Sequence, residues 1–511
     1  MADDRRYLMA RVLKLGTLDD VAVALGPVGA GEYVSDLALT AISNIPAGHK
    51  LALRAIPQGQ PVRKFNQIIG FATQLIAQGE HIHTHNLIVG DFDRDYSVGS
   101  DARPADLIDP ATAACFLGFR RHDGRVGTRN YVGVLTTVNC SATVARRIAA
   151  HFTPEVLRAY PNVDGVVAIT HGTGCGMAEH GEPADLLRRV FTGYSMHPNF
   201  ASVLLLGLGC ETNQIDHLVS LTGSSDTLRT STIQEEGGTT ATVRNGIVTV
   251  YEMLENANKA TRTAVAASNL VLGLQCGGSD AYSGISANPA LGVAVDQLIR
   301  NGGTAILSET PEIYGAEHLL TRRAARPEVA ERLIDRIRWW EEYTARHKGS
   351  IDNNPQPGNK TGGLTTILEK SLGAVSKAGI TNLNEVYLYA EAVRVRGLVF
   401  MDSPGFDPVS ATGQVAGGAN LICFTTGRGS VFGCKPTPSV KIASNTALFE
   451  RMSDDMDINC GGIIDGSQTV EDAGAAIFAE ILAVASGKPT RSEILGFGEE
   501  EFQPWLQSAT L

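Results

Sequence analysis

Four apolar, strand-like runs in this chain each stop at a cysteine set among glycines or small polar residues. They are VGVLTTVNC at Cys140, GVVAITHGTGC at Cys175, SVLLLGLGC at Cys210 and NLVLGLQC at Cys276. Thiolates are soft ligands that suit iron or an iron–sulfur cluster. In an open parallel sheet, ligands bind beyond the carboxyl ends of the strands, so the four thiols are expected to face one pocket. A single free cysteine is more often a small buried hydrophobe. Recurrence at one topological place, beside glycines that let backbone approach a ligand, argues for a site. Cys115, Cys423, Cys434 and Cys460 lack the pattern and are read as core. A second constellation is EHIHTHN, where His81, His83 and His85 alternate. On an extended segment all three imidazoles share a face and could ligate a metal or meet an anion, the alternative being a solvated polar strand face.

Other chemistries find little support. The GLGCETN and QCGGSDAYSG loops lack the spacing of a dinucleotide fingerprint or a P-loop. There is no serine nucleophile elbow and no C-x-x-C pair. Cys, His, Asp, Glu and Asn at loop positions point instead to a metal or acid–base site.

The elements that must position these residues fall into blocks. Residues 1–90 carry short alternating runs (VAVAL, KLALRAI, QPVRKF) and a recurring corner, NIPAGHK, AIPQGQP and LIAQGEH, as expected of a small all-β module. Residues 91–114 are polar and aperiodic, an expected linker. Beyond them, helical stretches such as ATVARRIAAHF, EPADLLRRVFTGY and PALGVAVDQLIRNG follow the cysteine strands. That alternation predicts parallel α/β architecture, divided here into units at 115–350 and 351–511. The expected fold is thus a multidomain α/β protein with a small N-terminal β domain.

A length of 511 residues exceeds one usual core, and 43% hydrophobic with 19% charged residues is an ordinary globular composition. No apolar run reaches the ~18 residues of a membrane span. The amino terminus, MADDRRYLMARVLKLG, has no apolar segment ahead of a small-residue cleavage site, so a cytoplasmic location with reduced cysteines is expected. A net charge of −11 disfavours nucleic acid but leaves room for a small anion in a local Arg/Lys pocket.

The strings GRVGTRNY, HGTGC, GLGCETNQ, QCGGSDAYSGISANPALG, ETPEIYGAEHLL, PGNKTGGLTTILEKSLG and FTTGRGSVFG resemble the altronate and galactarate dehydratases. The resemblance spans nearly the whole chain, and the N-terminal module looks like that family's SAF, or β-clip, domain. GEHIHTHN and EIYGAEHLL are more similar to the altronate branch, YPNVDGVV and DDMDINCG to the galactarate branch. The implied reaction removes water from a polyhydroxy acid to give a 2-keto-3-deoxy acid. Its obstacle is the weak acidity of a proton alpha to a carboxylate, which a divalent metal and a positioned base would overcome.

The resemblance implies Fe2+, with Mn2+ second, and assigns His171 as base. Two metal shells stay open: His83 and His85 with Glu211 or Asp280, which also count among the catalytic groups, or the thiolates Cys140, Cys175, Cys210 and Cys276, holding iron or an iron–sulfur cluster. Arg129, Lys360 and Arg428 are the candidate carboxylate partners, and Ser279, Asn288 and Asp280 the candidate hydroxyl partners. A homodimer is expected. Two other readings are a noncatalytic sugar-acid-binding protein and a lyase that expels sulfite, since related architectures resemble sulfolactate lyases.

Overall fold

A computed structural model describes residues 12–223 and 227–507. Residues 1–11 of the amino-terminal segment discussed above lie outside the described residues.

The N-terminal domain is built from short antiparallel strands. Val12–Leu13, Val21–Ala24, Lys50–Ala52 and His81–Ile82 form one sheet, and Pro61–Lys64, Gln67–Ala72 and Leu87–Ile88 another. The three repeated corners are real structural repeats. In each, a buried isoleucine (Ile45, Ile56, Ile76) is followed three residues later by a glycine at φ +80 (Gly48, Gly59, Gly79). A left-handed conformation at that place is where glycine costs least.

Residues 91–114 form no helix or strand, yet they are pinned rather than loose. Arg94 pairs with the buried Glu317, and Asp95 and Asp101 pair with Arg322.

The second domain carries a four-stranded parallel sheet in the order Gly165–Ile169, Tyr131–Thr136, Phe200–Gly207, Leu228–Thr232. Three of the cysteine runs are therefore neighbours in one sheet. The fourth, Val271–Cys276, is the middle strand of a seven-stranded parallel sheet ordered Leu383–Tyr387, Gly397–Met401, Thr304–Leu307, Val271–Cys276, Leu421–Thr426, Ser439–Ala443, Ile458–Asn459. Strands from both sides of residue 350 pair here, so the expected boundary at that point runs through a single sheet. Its real neighbour in sequence is the small antiparallel sheet of Cys115–Arg120, Val126–Gly127 and Thr263–Ala266, which joins the second and third domains.

The large sheet starts at its centre, adds strands on one flank, then returns to the other flank at Leu421–Thr426. That reversal opens a crevice between the carboxyl ends of Val271–Cys276 and Leu421–Thr426, the usual ligand position in doubly wound sheets.

The β domain covers this crevice. Lys50 and Lys64, both at strand positions facing inward, reach Glu369 of the third domain at 2.8 and 2.9 Å, with all three side chains fully buried or nearly so. Burial works against the Glu369 charge, but Lys50 and Lys64 outweigh it and hold the carboxyl well below its usual range. Thr365 adds two hydrogen bonds to the same carboxylate, and Lys50 also donates to the Gly363 carbonyl at 2.7 Å. Breaking such a buried pair from one side costs about 3–5 kcal/mol.

Candidate active site

Docking of the β domain delivers three imidazoles to the crevice. His49 follows the first glycine corner, and antiparallel pairing of Leu51 with His81 places the second histidine beside it. His49 Nδ1 lies 3.0 Å from His81 Nε2, and the His83 ring is centred 4.7 Å from that of His49. One nitrogen from each of His49, His81 and His83 falls within a 4.8 Å group. Burial, reinforced by Lys50 and the neighbouring imidazoles, lowers His81 to about 4 and His83 to about 3, and burial likewise lowers His49. All three are neutral at neutral pH, the form in which imidazole ligates. His83 Nδ1 is buried with no hydrogen-bond partner, an orphan that the surrounding protein does not satisfy.

This donor set fits a divalent transition ion. Metal–nitrogen bonds of about 2.0–2.1 Å place adjacent ligand nitrogens about 3 Å apart, the spacing of His49 and His81. His85 stands further out, exposed, with its ring 5.4 Å from His81.

The opposite wall comes from loops of the third domain. His49 Nε2 faces the Thr361 carbonyl at 3.3 Å, in the PGNKTGG loop. Asn359 of that loop donates to the Ser279 carbonyl at 2.8 Å, tying it to the GGSD loop after Cys276. The Gly427 and Arg428 amides both donate to the Gly278 carbonyl, which ties in the TTGRGS loop after the neighbouring strand. Asp280 is the knot of the assembly: it accepts from Ser283, Ser444 and Asn445. Burial raises its pKa against these bonds. The side chains of Lys360, half-buried, and Arg428, exposed, rise from the same loops with no hydrogen-bond or ion-pair partner among the described residues.

Beneath lies a buried charged floor that sequence reasoning missed. Cys276, Glu309 and Glu312 gather at the strand ends with Lys370, Lys377 and Asp407 around them. Glu309 is left-handed at φ +72, and neither carboxylate oxygen has a hydrogen-bond partner. Strain and an unsatisfied buried carboxylate together mark functional ground. Burial, then Glu312, pushes Asp407 up to about 7, and burial pushes the Cys276 thiol up to about 12. Lys370 and Lys377 already supply the positive charge here, so this group fits a metal less well than the neutral histidines.

Several residues expected at the site do structural work elsewhere. His171 Nε2 donates to the Thr136 carbonyl at 3.0 Å, and its Nδ1 accepts from the Thr173 amide. Burial lowers it to about 4, so it is a neutral imidazole without a free nitrogen for a proton. Glu211 accepts from Thr137 and from the Leu208 and Gly209 amides, closing its own loop. Arg129 pairs with Glu493 at 2.6 Å and donates to three carbonyls, those of Thr128, Val484 and Lys488. Asn288 bridges the Gly373 carbonyl and Thr425 from within a helix. Cys276 is buried on a different sheet from exposed Cys140, Cys175 and Cys210, so the four thiols do not share a pocket.

Family models cover the chain in three consecutive pieces. The altronate/galactarate dehydratase SAF domain matches residues 10–89, the D-galactarate dehydratase/altronate hydrolase second domain residues 118–258, and the D-galactarate/altronate dehydratase C-terminal domain residues 267–510. Altronate dehydratase of Bacillus subtilis (strain 168) is 34% identical over 96% of this chain and 98% of its own length. Galactarate dehydratase (L-threo-forming) of Escherichia coli (strain K12) is 37% identical over 93% of each. The (2R)-sulfolactate sulfo-lyase subunit beta of Chromohalobacter salexigens is 32% identical over 75% of this chain and 96% of its own length.

Proposed function

The chain belongs to the altronate/galactarate dehydratase family of hydro-lyases, and from that premise we propose that it dehydrates altronate to a 2-keto-3-deoxy acid in the crevice beneath the β domain. The observation that carries this reading is the meeting of three neutral imidazoles with the Lys360 and Arg428 loops at the topological switch point. His49, His81 and His83 would hold a divalent ion, iron(II) first and manganese second. When bound, such an ion supplies the positive charge that acidifies the hydrogen alpha to a carboxylate.

The remaining work belongs to side chains. Arg428 is suited to grip the substrate carboxylate through two parallel hydrogen bonds, with Lys360 as a second point charge. Asp280 holds both loops in register. Glu309 and Asp407, both pushed up by burial and by the neighbouring Glu312, lie under the site as a proton reserve. His85, exposed at the mouth without a hydrogen-bond partner among the described residues, meets the condition for receiving the alpha proton that His171 fails. Loss of that proton and of the beta hydroxyl leaves an enol, which tautomerises to the ketone.

Galactarate is the second reading, favoured by one feature. Two unpartnered cations suit a substrate with two carboxylates, whereas a hexonate needs one. Incubation of protein purified under reducing conditions with each acid and Fe(II), Mn(II) or Mg(II), followed by a colour reaction for 2-keto-3-deoxy acids, tests both. Turnover of altronate above galactarate supports the first reading and the reverse order the second. No ketoacid from either, with any metal, contradicts the dehydratase reading.

A further inference from the structure

The three remaining strand-tip cysteines are unexplained by the crevice. Free cysteine is among the most buried residue types, and Cys276, Cys423, Cys434 and Cys460 obey that rule. Cys140, Cys175 and Cys210 do not: all three are exposed. They end adjacent strands, Tyr131–Thr136 in the middle with Gly165–Ile169 and Phe200–Gly207 on either side.

Their loops are fastened to one another. The Asn139 amide donates to the Thr173 carbonyl at 2.9 Å, and the Asn213 amide to the Gly174 carbonyl at 3.1 Å. Asn213 Nδ2 reaches the Thr137 carbonyl, and Thr137 Oγ1 reaches Glu211 at 2.6 Å. Gly174, at φ +103, lies flat on the central loop; a Cβ there would sit 2.2 Å from the Thr137 carbonyl oxygen. His171 and Glu211 thus act as braces of this cradle. Fixed loops presenting solvent-exposed thiols are a liability to oxidation unless the thiols bind something.

We infer that Cys140, Cys175 and Cys210 hold an iron–sulfur cluster through three thiolates, a centre separate from the crevice and independent of its chemistry. The separation of the sulfurs argues against one shared ion, and the softness of thiolates suits iron–sulfur chemistry. With metal–sulfur bonds of about 2.3 Å, two thiolates on one zinc stand at most about 4.6 Å apart. The three sulfurs do not gather within 4.8 Å of one another. A multi-iron cube spreads its ligands more widely and suits thiolate donors. Three protein ligands on a four-iron cube leave one iron with an open position.

The full chain is purified anaerobically from iron-replete cells and assayed for iron, zinc and acid-labile sulfide. About four irons and four sulfides per chain are expected, with loss of sulfide in Cys140→Ser, Cys175→Ser and Cys210→Ser but not in Cys115→Ser. Differential alkylation of the unaltered protein guards against variants that fail to fold. The three thiols should be protected together and released together by an iron chelator, while exposed Cys115 reacts throughout. Zinc without sulfide, absence of sulfide after reconstitution with Fe(II) and sulfide, a disulfide among the three, or sulfide retained in all three serine variants would each overturn the inference.

Discussion

The crevice under the β domain and the cysteine cradle of the second domain both sit at the carboxyl ends of parallel strands, yet they are built in opposite ways. The cradle is local: one sheet, three neighbouring tips, loops joined by their own hydrogen bonds. The crevice is composite, with its imidazoles on one domain and its cationic loops on another. The composite site therefore depends on an interface, and that interface rests on the buried Lys50–Glu369–Lys64 group. Ligand donors differ accordingly. The three thiols lie exposed, whereas the histidines are kept neutral by burial.

The largest effect is expected from Glu369→Ala, which strands two buried ammonium groups. A loss of about 3–5 kcal/mol in the stability of the docked state is expected, with ketoacid formation abolished. The alkylation pattern of Cys140, Cys175 and Cys210 should stay unchanged. Denaturant unfolding and thiol mapping check this; collapse of both sites together would erase the distinction between them. Next, His83→Ala should leave the fold intact and lower turnover by at least the ~10²-fold that losing an outer-shell metal partner brings. Steady-state rates with circular dichroism report it. Arg428→Ala should act mainly on KM, raising it about 10–100-fold for one charge-assisted carboxylate contact. A fall in kcat alone would place Arg428 away from the substrate.

The smallest effect concerns pH. Asp407 is raised to about 7 from an unfolded value near 4, so the native state binds the extra proton between those limits. Stability should decline as pH climbs through that window, and Asp407→Asn should flatten the decline. Chemical denaturation at several pH values decides, and an unchanged slope would remove Asp407 from the proton reserve.

How much of this was readable in the sequence follows from range. Apolar runs and glycine corners are local, so the β module, the parallel α/β character and the family were legible. The Lys360, Asp280 and Arg428 loops stood out by their glycines, and His83 by simple alternation. His49 did not, because only cross-strand pairing brings it to His81. Lys50, Lys64 and Glu369 look like ordinary solvated charges until the two domains meet. His171, Glu211 and Arg129 have the right chemistry for a site, but backbone groups of nearby loops, and Glu493 in the case of Arg129, consume their polar atoms. Strand order, which no local pattern encodes, moved Cys276 away from the other three thiols and carried the large sheet across residue 350.

The crevice reading stands or falls on the histidine cluster that the β domain brings to it as a metal site. Titration of metal-free protein with Co(II), followed by visible absorption, tests it directly. One tight equivalent with a nitrogen-ligated spectrum is expected in the unaltered chain and in Cys140→Ser, and its loss in His49→Ala and His83→Ala. The same tight spectrum in both histidine variants would contradict the account.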